Sequence, residues 1–323
     1  MYKVIGNDVS KRKFDSTFLR QSNKWANKTY KNELEGILKF YKELPEGDCI
    51  FVMEATSSYY LKLAYFLSEK GEKVAIVNPL KIRRFAQMRF ERVKTDKADA
   101  RIIAQYGMSE ELKLWEPLER ELIDIRQICS VMEKLIKDRT MWYNKKEALE
   151  NDPRHSHIAM NEINEMLAFL YDKHSKLEKA LNILIQANYG AENEIIRSIP
   201  GIGPKTAIML LSLTDGFKRF SNYKEFISYV GMSPRIYDSG TIKGRARICK
   251  IGMGRARQLL YMAARAASKY NKACKELYER LLAKGKAKKL ALIAVANKMI
   301  KQAFALISKN EFYSENYSSK LGI

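Results

Sequence analysis

The N-terminal part of the chain alternates between short apolar runs, typical of buried strands, and segments with the apolar spacing of helices. Strands are predicted at 2–9, 13–19, 49–54 and 74–77, and helices at 32–43, 59–70 and from Thr95 onwards. The first two strands are expected to form a hairpin, and Thr95 is a candidate N-cap for the last of these helices. Strands that then alternate with helices predict a mixed α/β layer domain.

From Leu118 the apolar residues recur at intervals of three and four over two long stretches, about 118–136 and 163–184. The sequence Asn-Asp-Pro-Arg at 151–154 breaks the pattern between them, which predicts an antiparallel helical hairpin or a coiled-coil connector. Packing against the flanking domains and self-association would both use its apolar side. The chain beyond about residue 191 is predicted to be mostly helical. We therefore expect domains at 1–117, 118–190 and 191–323.

The composition is that of a globular protein: 46% of the 323 residues are hydrophobic and 29% are charged, and this length is too great for one typical core. The longest apolar runs, such as 207–213 and 290–296, fall short of the ~20 residues that span a bilayer. Residue 1 leads directly into a strand pattern, without the features of a signal peptide. The four cysteines form no CxxC pair, so no zinc site or disulfide framework is predicted. We expect a cytoplasmic protein with reduced thiols and no membrane association.

Charge is the first feature that indicates a partner. The formal net charge is +21, and the chain from residue 199 onwards carries 24 Lys and Arg but only seven Asp and Glu, a net +17. Each phosphate that Lys or Arg neutralises releases condensed counterions, so a bias of this size favours nucleic-acid binding over a basic surface that merely keeps the protein soluble.

Four acidic residues stand where a metal site could form. Asp8 ends the first predicted strand and Glu54 ends a later one, while Asp96 and Asp99, three residues apart, share one face of a helix. An acid at a strand end can simply be solvated, but two strand ends and a helical pair can converge at the rim of a sheet. Oxygen ligands of this number suit Mg²⁺ or Mn²⁺, and a pair of such ions supports phosphoryl transfer. The order of the four acids is that of ribonuclease-H-like nucleases, and of RuvC-type resolvases in particular.

A serine in the C-terminal part is a candidate nucleophile. Ser239 precedes Gly240 in a predicted turn and lies next to a run of basic residues that could bind the phosphate under attack. The residues of this run are Lys243, Arg245, Arg247, Lys250, Arg255 and Arg257. A serine hydroxyl needs a base or a metal to activate it, and the three histidines all belong to the predicted hairpin. A carboxylate-bound metal would have to serve, although a Ser-Gly pair is usually only a turn.

A glycine-rich loop, PGIGPK at 200–205, resembles a helix-hairpin-helix loop. Gly201 and Gly203 would let backbone amides approach a DNA phosphate, together with Lys205 and the N-terminus of the following helix. Such loops also occur as plain connections between helices. We predict a DNA contact at this loop.

Several motifs together resemble the DEDD transposases of the insertion-sequence-110 family, which includes a pilin-gene DNA invertase. The N-terminal motifs are GNDVSK at 6–11, MEAT at 53–56 followed by Tyr59, NP at 78–79 and KTDKADA at 94–100. The C-terminal motifs are PGIG at 200–203, residues 226–231, SG at 239–240 and KIG at 250–252. Motifs in the family's order extend over nearly the whole chain.

The resemblance implies a RuvC-like domain, a coiled-coil connector and a C-terminal transposase domain with a helix-hairpin-helix-like element. It also implies that Asp8, Glu54, Asp96 and Asp99 bind metal and that Ser239 forms a covalent intermediate with DNA. It further implies that the protein is a homo-oligomer and that a structured bridge RNA selects donor and target DNA. A RuvC-like nuclease would use the four acids with water and would have no need of Ser239. A non-catalytic nucleic-acid-binding protein would need only the basic region.

Overall fold

The computed structural model describes residues 2–20, 22–90, 95–235, 238–239, 242–243, 247–249 and 251–315. The chain divides into two compact units, Met1–Pro117 and Leu118–Ile323, named unit 1 and unit 2 below. The predicted boundary between a hairpin domain and a C-terminal domain stays a prediction.

Unit 1 is built on a five-stranded sheet. Its strands are β1 (Lys3–Val9), β2 (Lys13–Leu19), β3 (Trp25–Lys31), β4 (Cys49–Glu54) and β5 (Lys73–Val77), in the order β3-β2-β1-β4-β5. Strands β1, β2 and β3 are antiparallel neighbours, while β4 runs parallel to both β1 and β5. Strand β3 was not predicted, because it lies at the sheet edge and exposes its central residues, so its apolar pattern is weak.

Helices cover both faces of this sheet. They are α1 (Leu34–Lys42), α2 (Leu61–Glu69), α3 (Pro79–Met88) and α4 (Asp96–Ser109). Helices α1 and α2 share one hydrophobic cluster with the sheet, and α3 and α4 share the other. Helix α3 does not follow from the sequence pattern, which predicts only the strand that ends just before it. Asn78 is the N-cap of α3 and accepts a hydrogen bond from Leu80 N at 2.8 Å, and Pro79 is the first helical residue.

Unit 2 begins with the predicted hairpin, α5 (Arg120–Glu150) and α6 (His157–Arg197). It continues with α7 (Pro204–Thr214), α8 (Tyr223–Val230), α9 (Gly254–Tyr270), α10 (Lys272–Ala283) and α11 (Lys288–Lys309). Leu122, Ile125 and Leu181 of the hairpin are buried in the same cluster as residues of α7, α9 and α11. The base of the hairpin therefore packs into the core of unit 2.

Between α8 and α9 the structure has short strands where the sequence predicted helices and loops. Strands β6 (Pro234–Arg235) and β9 (Arg247–Ile248) pair antiparallel, as do β7 (Asp238–Ser239) and β8 (Ile242–Lys243). Each strand has only two residues, so no alternation of apolar and polar positions could reveal it.

Helix α11 is long and apolar enough, by length and composition, to cross a membrane. Its Val295, Met299 and Ile300 are fully buried in the core of unit 2, so one side of the helix packs within the protein. No membrane association is indicated by this helix.

Candidate metal and nucleic-acid sites

A glycine in β1 determines where α4 lies. A Cβ atom on Gly6 would be 2.3 Å from the carbonyl oxygen of Ala100 and 2.4 Å from the amide nitrogen of Ala104, both in the backbone of α4. Only glycine lets the helix rest directly on the strand. Asp96 and Asp99 occupy the first turn of α4, immediately before this contact, and Thr95 caps the helix by accepting a hydrogen bond from Ala98 N at 3.2 Å, as predicted.

Asp8 and Glu54 lie at the ends of neighbouring parallel strands, Asp8 as the penultimate residue of β1 and Glu54 as the last residue of β4. Asn7 is level with Met53, so one further residue along both strands places Asp8 beside Glu54 on the same face of the sheet. Because residues two apart in a strand share a face, this is also the face that Gly6 presents to α4. The four acids predicted from the sequence thus reach one region of unit 1.

The pKa of Asp8 reflects burial and the negative charges of the other acids. The pKa of the half-buried Asp8 is raised from 3.8 to about 6, first by burial and then by the negative charges of Asp99, Asp96, Glu54 and Asp15, in that order. A carboxyl group surrounded by like charges keeps its proton more readily. Negative charge is therefore concentrated around Asp8, and a divalent cation would reduce the repulsion.

The carboxylates of Asp8, Glu54, Asp96 and Asp99 are not arranged around one common point. Within the residues that the structure describes, no three His, Cys, Asp or Glu side chains are arranged to hold one ion. Asp96 instead pairs with Lys13, with 2.7 Å between Oδ2 and Nζ, and Glu54 Oε1 accepts a hydrogen bond from Thr56 Oγ1 at 2.6 Å. The donor set and its charge fit Mg²⁺ or Mn²⁺, provided that Asp96 leaves Lys13.

Two further residues of this region were missed by sequence reasoning. Asp15 lies directly opposite Asp8 in the β1–β2 pairing, is only 4% exposed, and accepts a hydrogen bond from Thr29. Lys13, two residues earlier, also approaches Asp15, with Nζ at 3.6 Å from Oδ2. The predicted hairpin already paired the two strands, so the spacing of Lys13 and Asp15 could have placed both on the face of Asp8.

The loops that flank the acids are held by one side chain. Asn32 is 1% exposed, and its Nδ2 donates to the carbonyl oxygens of Ser10 at 2.9 Å and Tyr59 at 3.1 Å. Ser10 follows β1 and Tyr59 lies in the loop after Glu54. The two loops that follow Asp8 and Glu54 are thereby joined within unit 1.

Ser239 is the last residue of β7, paired with Ile242 of β8, rather than part of an isolated turn. Two of the predicted phosphate-binding residues belong to the short strands: in the backbone register Lys243 is opposite Asp238, and Arg247 is opposite Arg235. Arg245 and Lys250 lie outside the described residues.

The last two cations of the basic run have partners in the protein. The Arg255 Nε donates to Glu133 Oε1 at 3.2 Å, and Arg257 Nη1 donates to the carbonyl oxygen of Val230, the last residue of α8, at 2.8 Å. Arg257 thereby supports the C-terminus of α8. Arg255 is exposed and its ion pair with Glu133 is at the surface, where such pairs are weak.

The glycine-rich loop connects α6 to α7, and its two glycines have different surroundings. Gly201 has a φ of 102°, and a Cβ there would lie 2.7 Å from Ala267 N and 2.9 Å from Ala263 O, so this glycine is required for packing on α9. Gly203 is the N-cap of α7, with nothing within 4 Å of a Cβ, and Lys205 is exposed in the first turn. The end of the loop that is open to a phosphate is therefore the one at Gly203 and Lys205.

Comparison with known proteins gives matches in both units. A profile of DEDD transposases of the IS110 type matches residues 5–149, and the profile described as the transposase IS116/IS110/IS902 family matches residues 193–279. The pilin gene-inverting protein of Moraxella lacunata is 31% identical over 326 residues, covering 95% of this chain and 96% of that protein. The corresponding protein of Moraxella bovis is 30% identical with the same coverage.

A transposase named for its insertion sequence is also similar over most of its length. The transposase for insertion sequence element IS1111A of Coxiella burnetii is 22% identical over 347 residues, covering 96% of this chain and 91% of that protein. Together with the two family profiles and the full-length similarity to the inverting proteins, this establishes that the chain belongs to the IS110 family of DEDD transposases.

Proposed function

We propose that this transposase cuts and rejoins DNA with two sets of groups: four carboxylates of unit 1 that bind Mg²⁺, and Ser239 of unit 2 as a nucleophile. The observation that carries the metal assignment is the position of the four acids: Asp8 and Glu54 lie side by side at the ends of neighbouring parallel strands, and Asp96 and Asp99 lie in the first turn of the helix that packs on Gly6. The raised pKa of Asp8, caused by burial and by the negative charges of the other acids, agrees with this. The inverting activity stated in the names of the Moraxella relatives supports site-specific recombination as the reaction.

The sheet of unit 1 supports assignment to the ribonuclease-H-like fold. Three antiparallel strands followed by two parallel ones, in the order β3-β2-β1-β4-β5, put the ends of β1 and β4 side by side, with α4 across them. In this arrangement, acids at those two strand ends and in the first turn of α4 serve one site. The sheet thus supplies a physical reason for the spacing of Asp8, Glu54, Asp96 and Asp99 in the sequence.

In the proposed reaction Ser239 Oγ forms a bond to a DNA phosphorus while the bond from that phosphorus to one DNA oxygen breaks. The serine loses its proton and the DNA oxygen leaves as a hydroxyl, so one phosphoester replaces another and resealing needs no external energy source. Bound Mg²⁺ would stabilise the charge on the phosphate oxygens and the leaving oxygen. The carboxylates of unit 1 would hold that ion.

We further propose that the active form is a homo-oligomer and that a structured RNA selects donor and target DNA. Support for RNA comes from the net +17 beyond residue 199, whose cations are distributed over several helices rather than along one. A folded RNA presents phosphates over a wide surface, whereas a single groove-reading helix needs only a narrow basic stripe. The protein would act on DNA in the cytoplasm, at the nucleoid.

A protein–DNA adduct is the direct test. Wild-type protein with Mg²⁺, substrate DNA and the proposed guide RNA should give an adduct that resists denaturant, and Ser239→Ala under the same conditions should bind DNA but give neither adduct nor cleavage. Ser233→Ala, a serine six residues earlier in the same segment, is the matched control and should behave as wild type. Cleavage without an adduct by Ser239→Ala would favour a water-using RuvC-like nuclease.

A further inference from the structure

The ammonium group of Lys13 lies among the carboxylates that we assign to metal. Its Nζ is 2.7 Å from Asp96 Oδ2 and 3.6 Å from Asp15 Oδ2. Both acids belong to the group whose negative charge acts on Asp8. Lys13 therefore supplies a positive charge at the place where a divalent ion would bind a carboxylate oxygen of Asp96.

The backbone explains how Lys13 reaches this place. It precedes Asp15 by two residues in β2, so both point to the face of the sheet that Asp8 and α4 occupy. From there its side chain bridges β2 and the first turn of α4. In this ion pair, 48% of the Lys13 side chain and 56% of the Asp96 side chain are exposed. Ion pairs with that exposure are weak, so a competing cation can separate the two side chains.

We propose that Lys13 is a tethered counter-cation: it holds Asp96 in the metal-free site, releases it when a divalent ion binds, and thereby sets the metal affinity. The proposal rests on the proposed role of Asp8, Glu54, Asp96 and Asp99 as metal ligands. The same oxygen of Asp96 cannot serve an ammonium group and a metal ion equally well, because the two cations repel each other at short range. Metal binding then includes the cost of opening the Lys13–Asp96 pair.

The affinity of the full-length protein for Mn²⁺, measured by electron paramagnetic resonance of the free ion, tests this role without DNA. Lys13→Met keeps the length of the side chain and removes its charge, and it should bind Mn²⁺ about fivefold to tenfold more tightly than wild type. Lys31→Met is the matched control, because Lys31 is exposed and lies directly opposite Lys13 in the β2–β3 pairing. It changes the net charge equally and should alter the affinity less than twofold.

Asp96→Asn gives a double-mutant test of the mechanism. In that background Lys13→Met should lose most of its effect, because the oxygen for which the two cations compete is no longer a carboxylate. If Lys13→Met leaves the Mn²⁺ affinity unchanged or weakens it, while Asp8→Asn strongly reduces binding, the counter-cation role is overturned and the four-acid site stands. If Asp8→Asn binds Mn²⁺ as wild type does, the metal site itself fails, and the role of Lys13 with it.

Discussion

Replacing Asp8 by Asn should make the metal-free protein more stable, although it removes a proposed catalytic group. The folded protein raises the pKa of Asp8 from 3.8 to about 6. Between these values the folded state binds more protons than the unfolded state, so the contribution of Asp8 to stability falls as pH rises from about 4 to about 6 and stays low above that. Asparagine carries no charge, so the stability of the Asp8→Asn protein should not fall in this way as the pH rises.

The size of the effect follows from the shift. About two pKa units correspond to about 3 kcal/mol, and solvent screening of the half-buried carboxylate reduces this to about 1–2 kcal/mol. For a domain of this length, 1 kcal/mol shifts the melting temperature by about 4 °C. At pH 8 in EDTA, Asp8→Asn should therefore melt about 4–8 °C above wild type, and most of this difference should vanish at pH 4.

Calorimetry of the full chain, with and without Mg²⁺, is the assay. Mg²⁺ should stabilise wild type and have little effect on Asp8→Asn, since a ligand stabilises only the state that binds it. Asp48→Asn is the control: Asp48 is exposed, precedes β4 at the end opposite Glu54, and should leave both the pH dependence and the response to Mg²⁺ unchanged. An Asp8→Asn protein that melts at or below the wild-type temperature at pH 8 would refute the charge-crowding argument.

Two other predictions concern the frame of the site and the nucleic-acid partner. Gly6→Ala should destabilise unit 1 by about 2–4 kcal/mol and abolish recombination, because the new Cβ atom would collide with the backbone of α4. The control is Gly254→Ala, which should be nearly neutral because its Cβ atom would meet only a side-chain atom at 3.7 Å. Equal melting temperatures of the two variants would contradict the packing argument. The protein purified at low salt from cells that carry the whole genetic element should bring down one discrete RNA encoded beside its gene. Recombination in vitro should require this RNA, and full site-specific recombination by RNA-free protein would refute guidance while leaving the chemistry intact.

The parts of the fold that could be predicted are those with long or strongly patterned segments. Strand β4 and the hairpin helices matched their apolar spacing, and Thr95 was found from its side chain alone. Strand β3 was missed because an edge strand buries little. Helix α3 was missed because proline both ends strands and begins helices, and only the hydrogen bond from Leu80 to Asn78 distinguishes the two.

In the candidate site, likewise, some features could be predicted from sequence motifs, and others are visible only in the packing of the folded protein. The common location of the four acids could be predicted because they end regular elements or share a helical face, and their role in metal binding stays a prediction. The role of Gly6 required the position of α4, and the ion pair between Lys13 and Asp96 joins residues 83 positions apart in the chain. Gly201 was expected to approach DNA, whereas its lack of a side chain is explained within the protein, by the contact with α9.

The buried side chain of Asn32 would preorganise the proposed metal site. Because its amide group ties the loops after Asp8 and Glu54 together, the rim of the site is organised when unit 1 folds rather than when an ion arrives. The loss of loop entropy is then part of folding, and metal binding need only rearrange side chains such as those of Asp96 and Lys13. The tie between the loops is made by the amide nitrogen of Asn32 alone, since its Oδ1 atom is buried without a hydrogen-bond partner among the described residues.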